Sequence, residues 1–366
     1  MSYEKSYTGR IADHEARCFR HGVMTVRDGM IEAVTYDDGT GGDYLLPGLV
    51  DAHTHGRVGL DFSGASEEEL CRMLAAYAQV GSTTVAATIA TAPLSEMADS
   101  ARRAARIGMK AVHYEGRYLN PVRKGAHAPW LLAGLDADEM RMLTEAASPC
   151  AVHFTVAPEL EGGEAFIRGA VALGATVGAG HTNATYEEIQ QALSWGVTSF
   201  THTYNAMSPF THRGPGAAGA SLLCDDAWSE FICDGVHLHP AAVALAYRLK
   251  PRDRFVLITD SMAAAGLGDG DYRIAGLPVR VREGHAALDD GTIAGSTLDL
   301  YDGMLNLMAF AGASFYDAVR CATLNPARML GIGDQCASLT AGRRADFIIA
   351  GEDYARKAVF LGGAEC

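Results

Sequence analysis

The chain has 366 residues, 48% of them hydrophobic and 41 of them glycine, which is more than one core usually fills and suits an alanine-rich α/β protein with a large and a smaller domain. A formal net charge of −14 disfavours nucleic acid and anionic membranes as partners, and no apolar run is long enough to span a bilayer. Eight cysteines without a Cys-x-x-Cys pair argue against a zinc knuckle or a disulfide framework and for reduced, mostly buried thiols.

The start, Met1 to Lys5, lacks the basic n-region and apolar core of a secretory signal, so a cytoplasmic address is expected. Residues 22–46 alternate in the β manner around Asp28-Gly29 and Asp38-Gly39, which predicts a small antiparallel unit. The apolar run from Leu45 then ends in His53-Thr54-His55. In extended chain, alternate side chains share a face, so two imidazoles can point at one cation while Ala52 and Thr54 face away. An isolated His-x-His is more often incidental; it gains meaning only if further ligands stand later in the chain.

From residue 49 to about 331 the pattern is strand then helix, repeated. Residues 66–80 predict a helix with a Ser66 cap and an acidic first turn, and residues 83–87 a strand. Later β-like runs end in Glu115, His181, His202 and Asp260. Five strands ending in His, Glu or Asp describe a ring of metal ligands and a base at one barrel mouth. Asp260 alone would read as a helix N-cap; its place last in this series favours catalysis. Residues 271–290 look like a β-hairpin excursion, and residues 345–350 and 357–361 return to β character. The expected architecture is α/β: a (β/α)8 TIM-like barrel over residues 48–334, with a small β-sandwich domain built from both termini, 1–47 and 335–366. There is no phosphate loop, dinucleotide fingerprint or serine-hydrolase elbow, so nucleotide cofactors and serine chemistry are not indicated.

The ordered motifs Leu46-Pro47-Gly48 through His55-Gly56, Glu115-Gly116, Asn120-Pro121 to Lys124-Gly125-Ala126-His127, Gly180-His181-Thr182-Asn183, Thr201-His202-Thr203-Tyr204-Asn205-Ala206-Met207, Asp234-Gly235-Val236-His237, Ile258-Thr259-Asp260 and Ala294-Gly295-Ser296 carry a resemblance to the N-acetylglucosamine-6-phosphate deacetylases of the amidohydrolase superfamily. It runs from about Gly29 to the C-terminus. The resemblance implies hydrolysis of the acetamide of an amino-sugar phosphate, with Glu115, His181 and His202 holding the common divalent metal, His53 and His55 a second one, and Asp260 near the more buried ion as the general base. It further implies that His127 polarises the scissile carbonyl, that His237 binds the sugar, and that Ala126, Asn205, Ala206, Ile293, Ala294 and Gly295 line the substrate pocket. Arg213 matches a phosphate-binding arginine that reaches the neighbouring subunit's site, which implies a homodimer.

One or two divalent ions per subunit are expected; histidine and carboxylate ligands suit zinc, iron, cobalt or manganese, with zinc the first choice. One departure stands out: Arg117 occupies a position where the family usually has proline, bringing a cation near the site and opening the question of the substrate. The alternatives are the galacto epimer, N-acetylgalactosamine 6-phosphate; a cyclic-amide or dipeptide hydrolase, which would commonly use a carboxylated lysine where Glu115 stands; and a non-catalytic sugar-phosphate-binding barrel.

Overall fold

The protein is described by a computed structural model covering residues 4–274 and 276–366. Eight parallel strands form its centre: Leu49–Asp51, Ser82–Ala90, Ala111–Glu115, Ala151–Val156, Thr176–Ala179, Ser199–Phe200, Trp228–Ile232 and Phe255–Ile258, hydrogen-bonded in that order. The last strand meets the first at a seam made by side chains and loop backbone. Thr259 donates its N–H and hydroxyl to the Asp51 carboxylate, and the Asp260 N–H donates to His53 O at 2.9 Å. A helix follows each of the first seven strands, beginning with Glu67–Gln79, which starts as expected: Ser66 and Glu69 form a reciprocal capping box. The eighth strand is followed first by a β excursion and then by Leu300–Ala311.

Both chain termini build the second sheet. Its order runs from the C-terminal strands Ala364–Glu365, Arg356–Leu361 and Phe347–Ala350 through Tyr44–Pro47 to Glu4–Asp13, Cys18–Arg27 and Met30–Tyr36. Tyr7 and Phe360 lie on strands three places apart, about 14 Å in a flat sheet. Their rings are nevertheless 5.3 Å apart, and Met30 on the far edge bridges to Arg344. The sheet therefore closes over a core of Ile11, Met24, Ile31, Leu45, Phe347 and Phe360, the sandwich-like arrangement expected of the terminal unit.

Three details differ from the sequence reading. Asp28-Gly29, both at positive φ, turns a hairpin as expected, but Asp38-Gly39 does not: Tyr44–Pro47 pairs parallel to Glu4–Asp13, a strand the alternation did not mark. The cysteines are all free, yet only Cys233 and Cys321 are buried. The excursion is three-stranded (Gly270–Ile274, Leu277–Arg282, His285–Ala287), and its Ile274 lines a cavity shared with His55, Glu115 and Asp260. No helix among the described residues is long and apolar enough to cross a membrane.

Tight packing inside the barrel bears directly on the site. A Cβ added to Gly180 would lie 2.6 Å from Thr201 Cβ and 2.8 Å from Thr155 Cγ2, both on stiff β-branched side chains. Gly180→Ala is expected to cost about 1–3 kcal/mol, seen as a thermal midpoint lowered by several degrees; an unchanged midpoint would show that the strands can spread here.

Candidate metal centre and its cavity

The site is built where the barrel strands end. Glu115 is the last residue of its strand, and His181, His202 and Asp260 each stand two residues beyond theirs. All three have left-handed backbones, with φ of 45°, 31° and 49°. Non-glycine residues seldom adopt that conformation, and its concentration at one mouth marks a place where packing outweighs local preference. His53 and His55 follow the first strand with rings 5.4 Å apart, while Thr54 turns away to Ser261 Oγ at 2.7 Å.

Glu115 is the hub. Its Oε1 is 2.9 Å from His202 Nε2, 3.2 Å from His181 Nε2 and 3.4 Å from His53 Nε2, and its Oε2 is 2.9 Å from His55 Nε2 and 3.5 Å from His127 Nε2. Asp260 Oδ1 lies 3.2 Å from His55 Nε2 and 3.5 Å from His53 Nε2. Two ligand sets result, His53, His55, Glu115 and Asp260, and Glu115, His181 and His202, with the ligand atoms of each within 4.8 Å of one another.

The tautomers test whether a cation fits. His181 Nδ1 is 2.7 Å from Arg123 O, and a carbonyl only accepts, so Nδ1 carries the proton. Burial pushes this ring's pKa down to about 4, so Nε2 presents a lone pair, directed at the Glu115 carboxylate and at His202 Nε2 3.0 Å away. Lone pairs converging on a carboxylate repel unless a cation lies among them. In the first set, His53 Nε2 is buried and makes no hydrogen bond among the described residues. Burial opposes protonation of His55, but the Asp260 and Glu115 carboxylates hold its pKa up at about 10. Burial likewise works against the Asp260 charge, and the His53 and His55 rings overcome it, bringing the carboxyl down to about 2. Both sets are short of positive charge in a way that a divalent metal would relieve.

A cavity of about 320 Å³ opens beside these ligands. His55, Glu115, His127, His181, His202 and Asp260 line it, together with Ala126, Asn205, Ala206, His237, Ile293 and Gly295. His127 Nδ1 is paired with Thr91 Oγ1 at 2.7 Å, and His237 Nδ1 with Asp234 Oδ2 at 2.7 Å, so each ring is oriented with Nε2 free of these pairings. His53 stands deeper, fully buried. Two other residues singled out in the sequence do not line the cavity. Ala294 is buried in a small cluster with Met262 and Val279, and Arg213 is exposed on the turn closed by Thr211 and Gly214.

Arg117 also points elsewhere: its guanidinium pairs with Glu139 at 3.1 Å, whose other oxygen accepts from the Tyr118 hydroxyl. With φ of 65°, its backbone is one that proline cannot adopt. Arg117 is thus held by a carboxylate neighbour and does not line the cavity.

Sequence reasoning passed over Glu230, a fully buried carboxylate whose Oε2 is 3.1 Å from His53 Nδ1. The signal for it was an acidic residue inside the apolar run Trp228-Ser229-Glu230-Phe231-Ile232. It also missed Arg123, which lines the cavity and whose carbonyl orients His181.

Residues 44–365 match the amidohydrolase family profile. An N-acetylglucosamine-6-phosphate deacetylase of Bacillus subtilis is 32% identical, covering 93% of this chain and 91% of its own. An N-acetylgalactosamine-6-phosphate deacetylase of Escherichia coli O157:H7 is 33% identical with the same coverage. Among solved structures, the N-acetyl-D-glucosamine-6-phosphate deacetylase of Mycobacterium smegmatis, an Asp-to-Ala variant in complex with N-acetyl-D-glucosamine 6-phosphate, superposes with a TM-score of 0.92 at 32% identity over 99% of both chains.

Proposed function

The chain belongs to the amidohydrolase family, and on that premise we propose that it is a metal-dependent deacetylase converting N-acetylglucosamine 6-phosphate to glucosamine 6-phosphate and acetate. The observation that carries this reading is the convergence of both ligand sets on Glu115 at the wall of a cavity of sugar size. Glu115, His181 and His202 would hold one divalent ion, zinc by preference, and His53, His55, Glu115 and Asp260 a second. When bound, such a cation supplies Lewis acidity and lowers the pKa of a coordinated water toward ~7.

The remaining steps belong to the protein's own side chains. Asp260 at the cavity wall, ionised at neutral pH, takes a proton from the attacking water and returns it to the departing amine. His127, steadied by Thr91, directs Nε2 to the scissile carbonyl oxygen, where charge grows as the tetrahedral intermediate forms. His237, fixed by Asp234, offers Nε2 to the sugar, and Ala126, Ala206 and Gly295 let the ring come close because they present little side chain. Ala294, between the lining residues Ile293 and Gly295, is buried with Met262 and supports that wall. Asn205 meets the phosphate end. Arg213, exposed and away from its own cavity, serves the site of a second subunit in a cytoplasmic homodimer, its planar guanidinium matched to phosphate oxygens.

The test is acetate release from N-acetylglucosamine 6-phosphate and N-acetylgalactosamine 6-phosphate side by side, with metal-quantified protein. Preferential turnover of the gluco sugar is the expected result. Preference for the galacto sugar would establish the second reading, which the 33% identity to the Escherichia coli enzyme keeps in view. Binding without acetate release, whatever the divalent metal, would reduce the chain to a sugar-phosphate-binding barrel.

A further inference from the structure

Glu230 lies on the seventh barrel strand, Trp228–Ile232, and is fully buried. It lines no part of the substrate cavity, so it does not act on substrate. Its Oε2 makes two contacts, each 3.1 Å long: one with His53 Nδ1 and one with the backbone N–H of His202. These two histidines belong to different ligand sets. One carboxylate oxygen thus ties together the two halves of the centre from behind.

The consequence for His53 is chemical. A carboxylate accepts, so His53 Nδ1 carries a proton and Nε2 is the atom that faces Glu115 and Asp260 at 3.4 and 3.5 Å; with a cation there, Nε2 would offer its lone pair. Without Glu230 either tautomer would serve, and the ring would lose the contact that fixes its plane. Charge points the same way. Glu115, Asp260 and Glu230 surround His53, and the ion pairs they make are all with histidines, with no lysine or arginine among the described residues pairing with any of them. A buried carboxylate without a lysine or arginine partner is costly, and a cation in the His53 set would offset that cost.

We infer that Glu230 is the positioning residue that commits this chain to a second metal ion, by holding His53 in its ligating tautomer and supplying the charge that the second cation balances. This inference rests on the metal-dependent reading above but is tested apart from activity. The full-length protein, stripped with a chelator and dialysed against Zn²⁺, is expected to bind two ions per chain by elemental analysis. Glu230→Met is expected to bind one. Glu230→Gln keeps an acceptor for the His53 N–H and loses the charge; it is expected to bind the first ion as wild type does and the second about 10–100-fold more weakly. That split, one ion unaffected and one lost, is what a general loosening of the fold would not produce. If Glu230→Met does not fold, the Gln variant decides alone. A single ion in the wild type, or a second ion bound by Glu230→Gln with unchanged affinity, would overturn the inference. Absence of deacetylase activity with two ions bound would instead count against the proposed reaction.

Discussion

Asp260→Asn is expected to lower kcat by about 10²–10⁴-fold, the range that general acid–base catalysis supplies, while leaving KM and the thermal midpoint close to wild type. The residue is ionised because the His53 and His55 rings outweigh the burial that works against its charge. An amide of the same shape cannot accept the proton from the attacking water. The fold should tolerate the change for a specific reason. Asp260 sits at φ 49°, a conformation asparagine enters more readily than most residues, and its backbone bonds to His53 O and from the Ser296 N–H do not involve the side chain. Steady-state acetate release together with a melting curve checks this, and a rate within tenfold of wild type would remove Asp260 from the proton path.

Glu115→Gln is expected to be more severe still. Five imidazoles approach this one carboxylate within 3.5 Å, and it is the only residue common to both ligand sets. Replacing it removes the shared anionic ligand and leaves an amide whose NH2 group points at lone-pair nitrogens. Metal content should fall well below one ion per chain at limiting Zn²⁺, and activity by more than about 10³-fold, since several kcal/mol of charge stabilisation depend on the bound ion. Elemental analysis after gel filtration reads the first effect and acetate release the second. A variant that retains two ions and measurable turnover would show that the histidines alone assemble the centre.

The site is readable in the chain to the extent that its residues stand at strand ends. Glu115, His181, His202 and Asp260 each close a run of small or branched residues, and that punctuation is visible without a structure. Glu230 escapes because it is interior to its strand, where a charged residue has no positional marker and declares itself only through partners such as His53, distant in sequence. The terminal unit shows the same limit. The hairpin around Asp28-Gly29 is local and legible. Glu4–Asp13 has no clean alternation, and the fact that it lies parallel to Tyr44–Pro47 arises from pairing across the chain. The nearness of Arg117 to the site is legible from Glu115 beside it in sequence, but the direction of its side chain depends on Glu139, one helix away.

The pairing of Leu46 with Ile348 also sets a schedule for the protein's birth. About 300 residues separate these partners, so at a synthesis rate of ~5–20 residues per second the strand leading toward His53 and His55 waits roughly 15–60 s with one edge unpaired. Throughout that interval its Leu45-Leu46 edge is open to the wrong neighbour. A shorter wait, about 200 residues of synthesis, postpones the barrel seam, because His53 cannot receive the Asp260 N–H until the eighth strand has emerged. Assembly of the candidate metal centre is therefore a late event in the life of each new chain, and molecular chaperones have their longest opportunity to act before it.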